Sequence, residues 1–274
     1  MKKAILLISL LALPFAFCNA QVSVSGVKGS DGYSVLRAQA DLPLMLLPGL
    51  SLYGKYAAFS HDNFSTMSKY GAGAAFTLPF LDIVDLGVEA GLTPKANQYS
   101  AYYWDAHGSV NLANIFYHLL PADELRLTLG LLSTYHSFYQ PDYKATEQDI
   151  YASVYQRVGG FDASVMYSKA VSLSGDGGGF PPWLDIPNFV SVYAGYLDYS
   201  LGASAGYTYK IVRPYAAYAY LKTKNSPSAD DLRLGLIVSV GPVAVNGSVE
   251  WLNITRNTSG RKALYSLSAG MRFL

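Results

Sequence analysis

The chain has 274 residues with 20 basic and 19 acidic side chains, and only 14% of it is charged. A formal net charge of +1 offers no basic surface for nucleic acid, and the single Cys, Cys18, excludes a disulfide framework. The abundant residues are instead 23 Tyr and 25 Gly.

Met1 to Ala20 reads as a cleaved secretory signal. Lys2 and Lys3 form its charged start, Ala4 to Phe17 its apolar stretch, and Cys18-Asn19-Ala20 the small residues before cleavage at Gln21. The apolar run is too short for a spanning helix. A lipidated Cys18 is the alternative, which the bulky Phe17 before it disfavours. Residues 21–274 then form one domain, with net charge about −1 once Lys2 and Lys3 are removed.

That domain alternates apolar with small or polar residues, the period of a strand with two unlike faces. The spacing predicts about fourteen strands. The first runs from about Val22 to Lys28 and the second from Tyr33 to Leu44, with Leu36, Ala38, Ala40 and Leu42 outward. The next three are Leu50 to Ala58, Tyr70 to Leu78 and Leu86 to Leu92. The sixth is Tyr102 to Phe116 and the seventh Leu125 to Thr134, where every second residue is Leu up to Leu131. Ile150 to Gln156 and Phe161 to Val171 flank a turn at Arg157 to Gly160. From Tyr193 to Tyr209 one phase holds without a slip, which predicts a single long tenth strand. Tyr215 to Leu221, Leu232 to Val240, Val243 to Asn253 and Ala263 to Phe273 complete the set. On the twelfth strand the phase sends Leu234 to lipid and Gly235 inward, so an Arg at Gly235 is expected to be tolerated.

Connections alternate between short ones, such as Met45 to Gly49 and Gly241-Pro242, and longer polar ones, such as Ser60 to Lys69, Pro94 to Ala101, Tyr135 to Asp149 and Ser172 to Asn188. That asymmetry is expected of periplasmic turns and outer loops. Aromatics cluster near strand ends, with Tyr56, Phe59, Tyr70, Tyr102, Trp104 and Trp251 towards the loops and Phe80, Phe116, Phe161, Tyr209 and Phe273 towards the turns. Such rings suit the two headgroup levels of a bilayer.

Charges fall on the inward phase: Arg37, Asp41, Lys55, Glu89, Asp105, His107, Arg126, Asp162, Asp198, Lys210, Arg233, Glu250 and Arg272. They share the interior with Gly, Ser, Ala and Thr, which predicts a lumen not packed solid by large side chains. The loop Ser172 to Asn188 is the candidate gate, through Gly177, Gly178, Gly179, Pro181, Pro182 and Trp183.

The export signal, the alternation, the loop asymmetry and the terminal aromatic resemble bacterial outer-membrane β-barrels over the whole mature chain. The resemblance implies an all-β, transmembrane antiparallel barrel of about fourteen strands, twelve or sixteen being the alternatives. Size is similar to that of the small monomeric fourteen-stranded porins. Fatty-acid transporters share the strand count but begin with a plug, for which the start at Val22 leaves no room. The implied partners are outer-membrane lipid, lipopolysaccharide and the barrel-assembly machinery, in the outer membrane of a Gram-negative-type bacterium, with a monomer favoured and no cofactor. The implied function is a passive channel for ions or small hydrophilic solutes. A structural or adhesive barrel is the alternative, and a lipid hydrolase a third.

The hydrolase reading rests on His107-Gly108-Ser109, two side chains on one face, as in outer-membrane phospholipase A and lipid A deacylase. Val110 stands where those families have Asn, and the phase of Val110, Leu112 and Phe116 puts His107 and Ser109 inside, away from lipid. No enzyme is therefore expected. His61, His118 and His136 fall in loops or turns with no metal spacing, and the triplets at Asn63, Asn253 and Asn257 are not expected to carry glycans.

Overall fold

In the computed structural model the described residues are 20–29, 32–44, 47–62, 64–78, 83–116, 122–139, 142–175, 183–184, 193–194, 196–224, 227–254 and 262–272. Fourteen antiparallel strands close a barrel. They are β1 (Gln21–Lys28), β2 (Ser34–Pro43), β3 (Leu50–His61), β4 (Phe64–Thr77), β5 (Val84–Ala96), β6 (Tyr99–Asn111), β7 (Glu124–Tyr139), β8 (Asp142–Val158), β9 (Phe161–Ser174), β10 (Leu197–Tyr207), β11 (Val212–Thr223), β12 (Ala229–Val240), β13 (Val243–Ile254) and β14 (Lys262–Arg272). Each strand pairs with its sequence neighbours, and β1 closes the ring on β14 from Gln21↔Arg272 to Lys28↔Tyr265. Closure matters because lipid supplies no hydrogen bonds, so an open sheet edge would leave a row of backbone groups unsatisfied. No helix among the described residues is long and apolar enough to cross a membrane.

The outward phase is apolar and exposed at mid-strand, as at Leu129 (69%), Leu267 (65%) and Val88 (57%). An exposed apolar belt around a closed barrel is the surface that hydrocarbon requires. Tyr70, Tyr102, Trp104, Tyr167 and Tyr218 stand exposed towards the loop end, and Phe116, Phe161, Tyr207 and Tyr209 towards the turn end. Phe59 is the exception among the loop-side aromatics. It turns inward and packs against buried residues of the lumen.

The structure departs from the sequence expectations in several further places. Most of Ser60 to Lys69 is strand, since β3 runs to His61 and β4 starts at Phe64. The stretches Pro94 to Ala101 and Tyr135 to Asp149 are not long loops. β5 and β6 meet at Asn97 and Gln98, both with positive φ as a tight two-residue hairpin requires, and β7 and β8 run out to Tyr139 and Asp142. One face of the β7–β8 extension stays buried, but it carries the polar His136, Glu147 and Asp149 beside Phe138 and Ala145, so apolar periodicity no longer reports the strand. The sixth strand ends at Asn111, and a single helical turn, α1 (Leu112–Ile115), follows it. The tenth strand is not continuous from Tyr193. Tyr193–Ala194 pair with Trp183–Leu184 in a separate two-stranded sheet, and β10 starts at Leu197 with a bulge at Asp198. The bulge inserts one residue, so Leu197 and Ser200 both face inward although their spacing is odd. Lys210 lies in the β10–β11 turn with φ 55°, outside the lumen, its ammonium over the Tyr209 ring. Residues 177–182 of the candidate gate lie outside the described residues, as do Met1 to Asn19, Phe80, His118 and Phe273.

Candidate functional site

The barrel encloses a cavity of about 1020 Å³ with two unlike walls. One wall, on β9, β10, β13, β14 and β1, is built from small polar residues paired across strands. Ser164 faces Ser204 with hydroxyls 2.7 Å apart, Ser168 faces Ser200 at 2.6 Å, and Ser248 faces Ser266 at 2.5 Å. Ser25 is registered on Ser268, and both line the cavity with Ser23, Asn246 and Gly270. In the three bonded pairs each hydroxyl satisfies its partner, so short polar side chains face the lumen without filling it.

The other wall, on β3 to β8, carries the charge and the rings. Lys55 Nζ lies 2.5 Å from Glu89 Oε2 and 4.8 Å from the Tyr53 ring centroid. Tyr103 donates to Glu89 Oε1 at 2.7 Å, and Lys69 sits 4.5 Å over the Tyr103 ring. Tyr151 donates to Asp105 Oδ2 at 2.9 Å, and His107 Nδ1 is 2.8 Å from Asp105 Oδ1. These rings stay flat because each lies over a glycine on the next strand. Tyr53 is registered on Gly73, Tyr103 on Gly91, His107 on Gly87, Tyr151 on Gly130 and Tyr215 on Gly235, and a Cβ at any of those glycines would strike the ring. These inward rings and glycines come in pairs because an inward ring needs a bare neighbour in order to lie along the wall.

Of the residues expected in the lumen, Arg37, Lys55, Glu89, Asp105 and His107 line this cavity. Arg126 lies nearer the turn end, ion-paired with Asp85 and held 3.1 Å from Glu124. Asp162 takes the Arg213 guanidinium in a two-pronged pair, with Nε 2.8 Å from Oδ2. Asp41 accepts from the Gln39 amide at 3.0 Å. Towards the loop end, Arg233 lies 3.4 Å from Glu250 and 3.7 Å from Asp231. Asp198 is the extra residue of the β10 bulge and does not line the cavity, and Arg272 is exposed at the turn end. Ser109 donates to Asp85 at 3.1 Å while His107 is held by Asp105, so the His107–Ser109 pair is split between two carboxylates.

Phase reasoning missed Lys69, Asp85, Asp149 and Arg213, which lay just beyond the assigned strand ends. Extending each alternation by a residue or two would have reached them. It also missed His136, which is not in a loop. His136 is buried on β7, with Nδ1 2.9 Å from the Tyr99 hydroxyl and Nε2 3.3 Å from Glu147. Glu147 in turn accepts the Leu197 N–H at 2.7 Å, tying the start of β10 to β8. The loop end of the lumen also holds two apolar clusters beside the buried Asp149, Asp231 and Glu250. Val27, Val35, Leu197, Leu221, Leu252 and Leu264 form one buried cluster, Met67, Tyr99, Ala101 and Phe138 another, and Phe59 packs on both.

No protein-family model matches the chain, and no curated protein does. Solved structures do. A FadL homologue of Pseudomonas aeruginosa is similar with TM-score 0.54 at 10% identity, over 93% of this chain and 89% of that one. OccD1 (OprD) is similar with TM-score 0.50 at 9% identity, over 93% and 95%. CdiB from Acinetobacter baumannii gives TM-score 0.53 at 10% identity over 93% of this chain, which spans only 60% of the CdiB length. At such identities the likeness concerns architecture. The fold is that of bacterial outer-membrane β-barrels.

Proposed function

We propose that this barrel is a passive outer-membrane channel for ions or small hydrophilic solutes. The observation that carries the reading is how the lumen charges pair. Lys55 on β3 reaches Glu89 on β5, Tyr151 on β8 reaches Asp105 on β6, and Arg213 on β11 reaches Asp162 on β9. These pairs follow the wall at most two strands away and leave the cavity between them unbridged. A barrel whose charges served only to close it would pair them across the lumen. Arg37, Lys55 and Lys69 stand against Glu89, Asp105 and Asp149 on the cavity surface, so neither sign dominates. In planar bilayers the protein is expected to show a small steady conductance with cation-to-anion preference within a few-fold of unity, on the logic of mixed charge rings. A well-folded protein that never conducts would return the function to a structural or adhesive barrel.

The buried layer at the loop end, apolar apart from the Arg233, Asp231 and Glu250 group, supports a second element of the reading, a constriction that gates by excluding water. Leu252 and Leu264 contribute to that layer from adjacent strands, β13 and β14. Replacing both by Asn should wet the layer and raise open probability or conductance several-fold, a magnitude set by the dewetting logic. Unchanged conductance, with heat-modifiable migration on a gel retained, would remove the gate from this layer.

A further inference from the structure

The outward wall of β8 to β11 carries no charge from the turn end until one row near the loop end. There Lys169 on β9 and Lys222 on β11 are both registered on Tyr199 of β10, so three side chains stand abreast on the lipid side. Both lysines are exposed, and neither has an ion pair among the described residues. Strands about 4.8 Å apart place the two lysine stems roughly 10 Å from one another, within reach of a single phosphate. The Tyr199 ring stacks with Tyr167 at 6.4 Å between centroids and meets Tyr220 at 5.9 Å with the planes tilted by 40°, which makes a three-ring cluster beside the two lysines. Asp230, registered on Tyr220, closes one edge and accepts a hydrogen bond from the Asn253 amide at 2.7 Å.

Tyrosines mark the headgroup level, so this row stands where the outer leaflet turns polar. Lone lysines there simply extend to water. Two lysines flanking an aromatic cluster make a different surface: cations for a phosphate, and ring faces for the apolar face of a sugar. We propose that Lys169, Tyr199 and Lys222 form a binding site for the phosphorylated sugar headgroup of an outer-leaflet glycolipid of the lipid A class. The site lies on the outside of the barrel and is independent of the channel reading, so conductance and lipid binding test the two separately.

Native mass spectrometry of the purified protein in detergent, titrated with bisphosphorylated lipid A, tests the proposal. One retained lipid per barrel is expected. The K169Q/K222Q variant should lose affinity on the order of thirtyfold, given the usual worth of each basic residue at an anionic membrane surface. K28Q/K144Q, which removes two other exposed lysines near the loop end, should bind as the parent does. Lipid A stripped of its phosphates should bind the parent as weakly as the intact lipid binds K169Q/K222Q. Should the double variant fail to assemble, K169Q and K222Q singly should each show part of the loss. Unchanged affinity in these variants would overturn the site. Equal binding of phosphatidylglycerol would reduce it to general attraction for anionic lipid and overturn the headgroup assignment. Displacement of lipid A by inorganic phosphate at matched concentration would do the same, leaving a simple anion site.

Discussion

Leu234→Arg is expected to cost about 2–4 kcal/mol or to block assembly, because it points a charge at lipid near the middle of β12. Leu234 is 48% exposed on the apolar outward face. Ser268→Arg is the matched inward change. Ser268 lines the cavity from the middle of β14, where an Arg finds water and polar neighbours. It should assemble and lower conductance by occupying the lumen. Urea unfolding in lipid vesicles and heat-modifiable migration on gels read both outcomes, and the reverse order would mean that the register on one of these strands is off by one. Gly235→Arg, which phase alone marks as a benign inward change, is expected to destabilise as well. The Tyr215 ring occupies the space that a Gly235 side chain would need.

Gly130→Val should destabilise by about 1–3 kcal/mol, the usual range for forcing extra methyl groups into an occupied space. The occupant is the Tyr151 ring, and its displacement also removes the hydroxyl that donates to Asp105 at 2.9 Å. Asp105 would then hold His107 without its second donor. Tyr151→Ser alone should cost less, and combining it with Gly130→Val should recover part of the loss. A double-mutant cycle should give a coupling of about 1 kcal/mol or more between the two sites. Additive effects would show that the ring is not seated on the glycine.

The sequence by itself determined the architecture. The phase of Leu127, Leu129, Leu234, Leu236 and Leu267 against Arg126, Thr128, Arg233, Gly235 and Ser268 identifies which face meets lipid, because a two-residue period admits only two faces and charge is costly on one of them. The same phase led to Lys55, Glu89, Asp105 and His107 as inward residues and to a closed barrel of fourteen strands. Its reach ended where the buried face itself turns polar, as with His136 and Glu147 on the β7–β8 hairpin, and where one inserted residue shifts the phase, as at Asp198. Only the tertiary structure decided which side chains meet. The Tyr151–Gly130 and Tyr103–Gly91 contacts, the serine pairs and the Lys169–Tyr199–Lys222 row each join residues from different strands. Those meetings depend on register, which hydrogen bonding between strands sets and which no single strand's alternation contains.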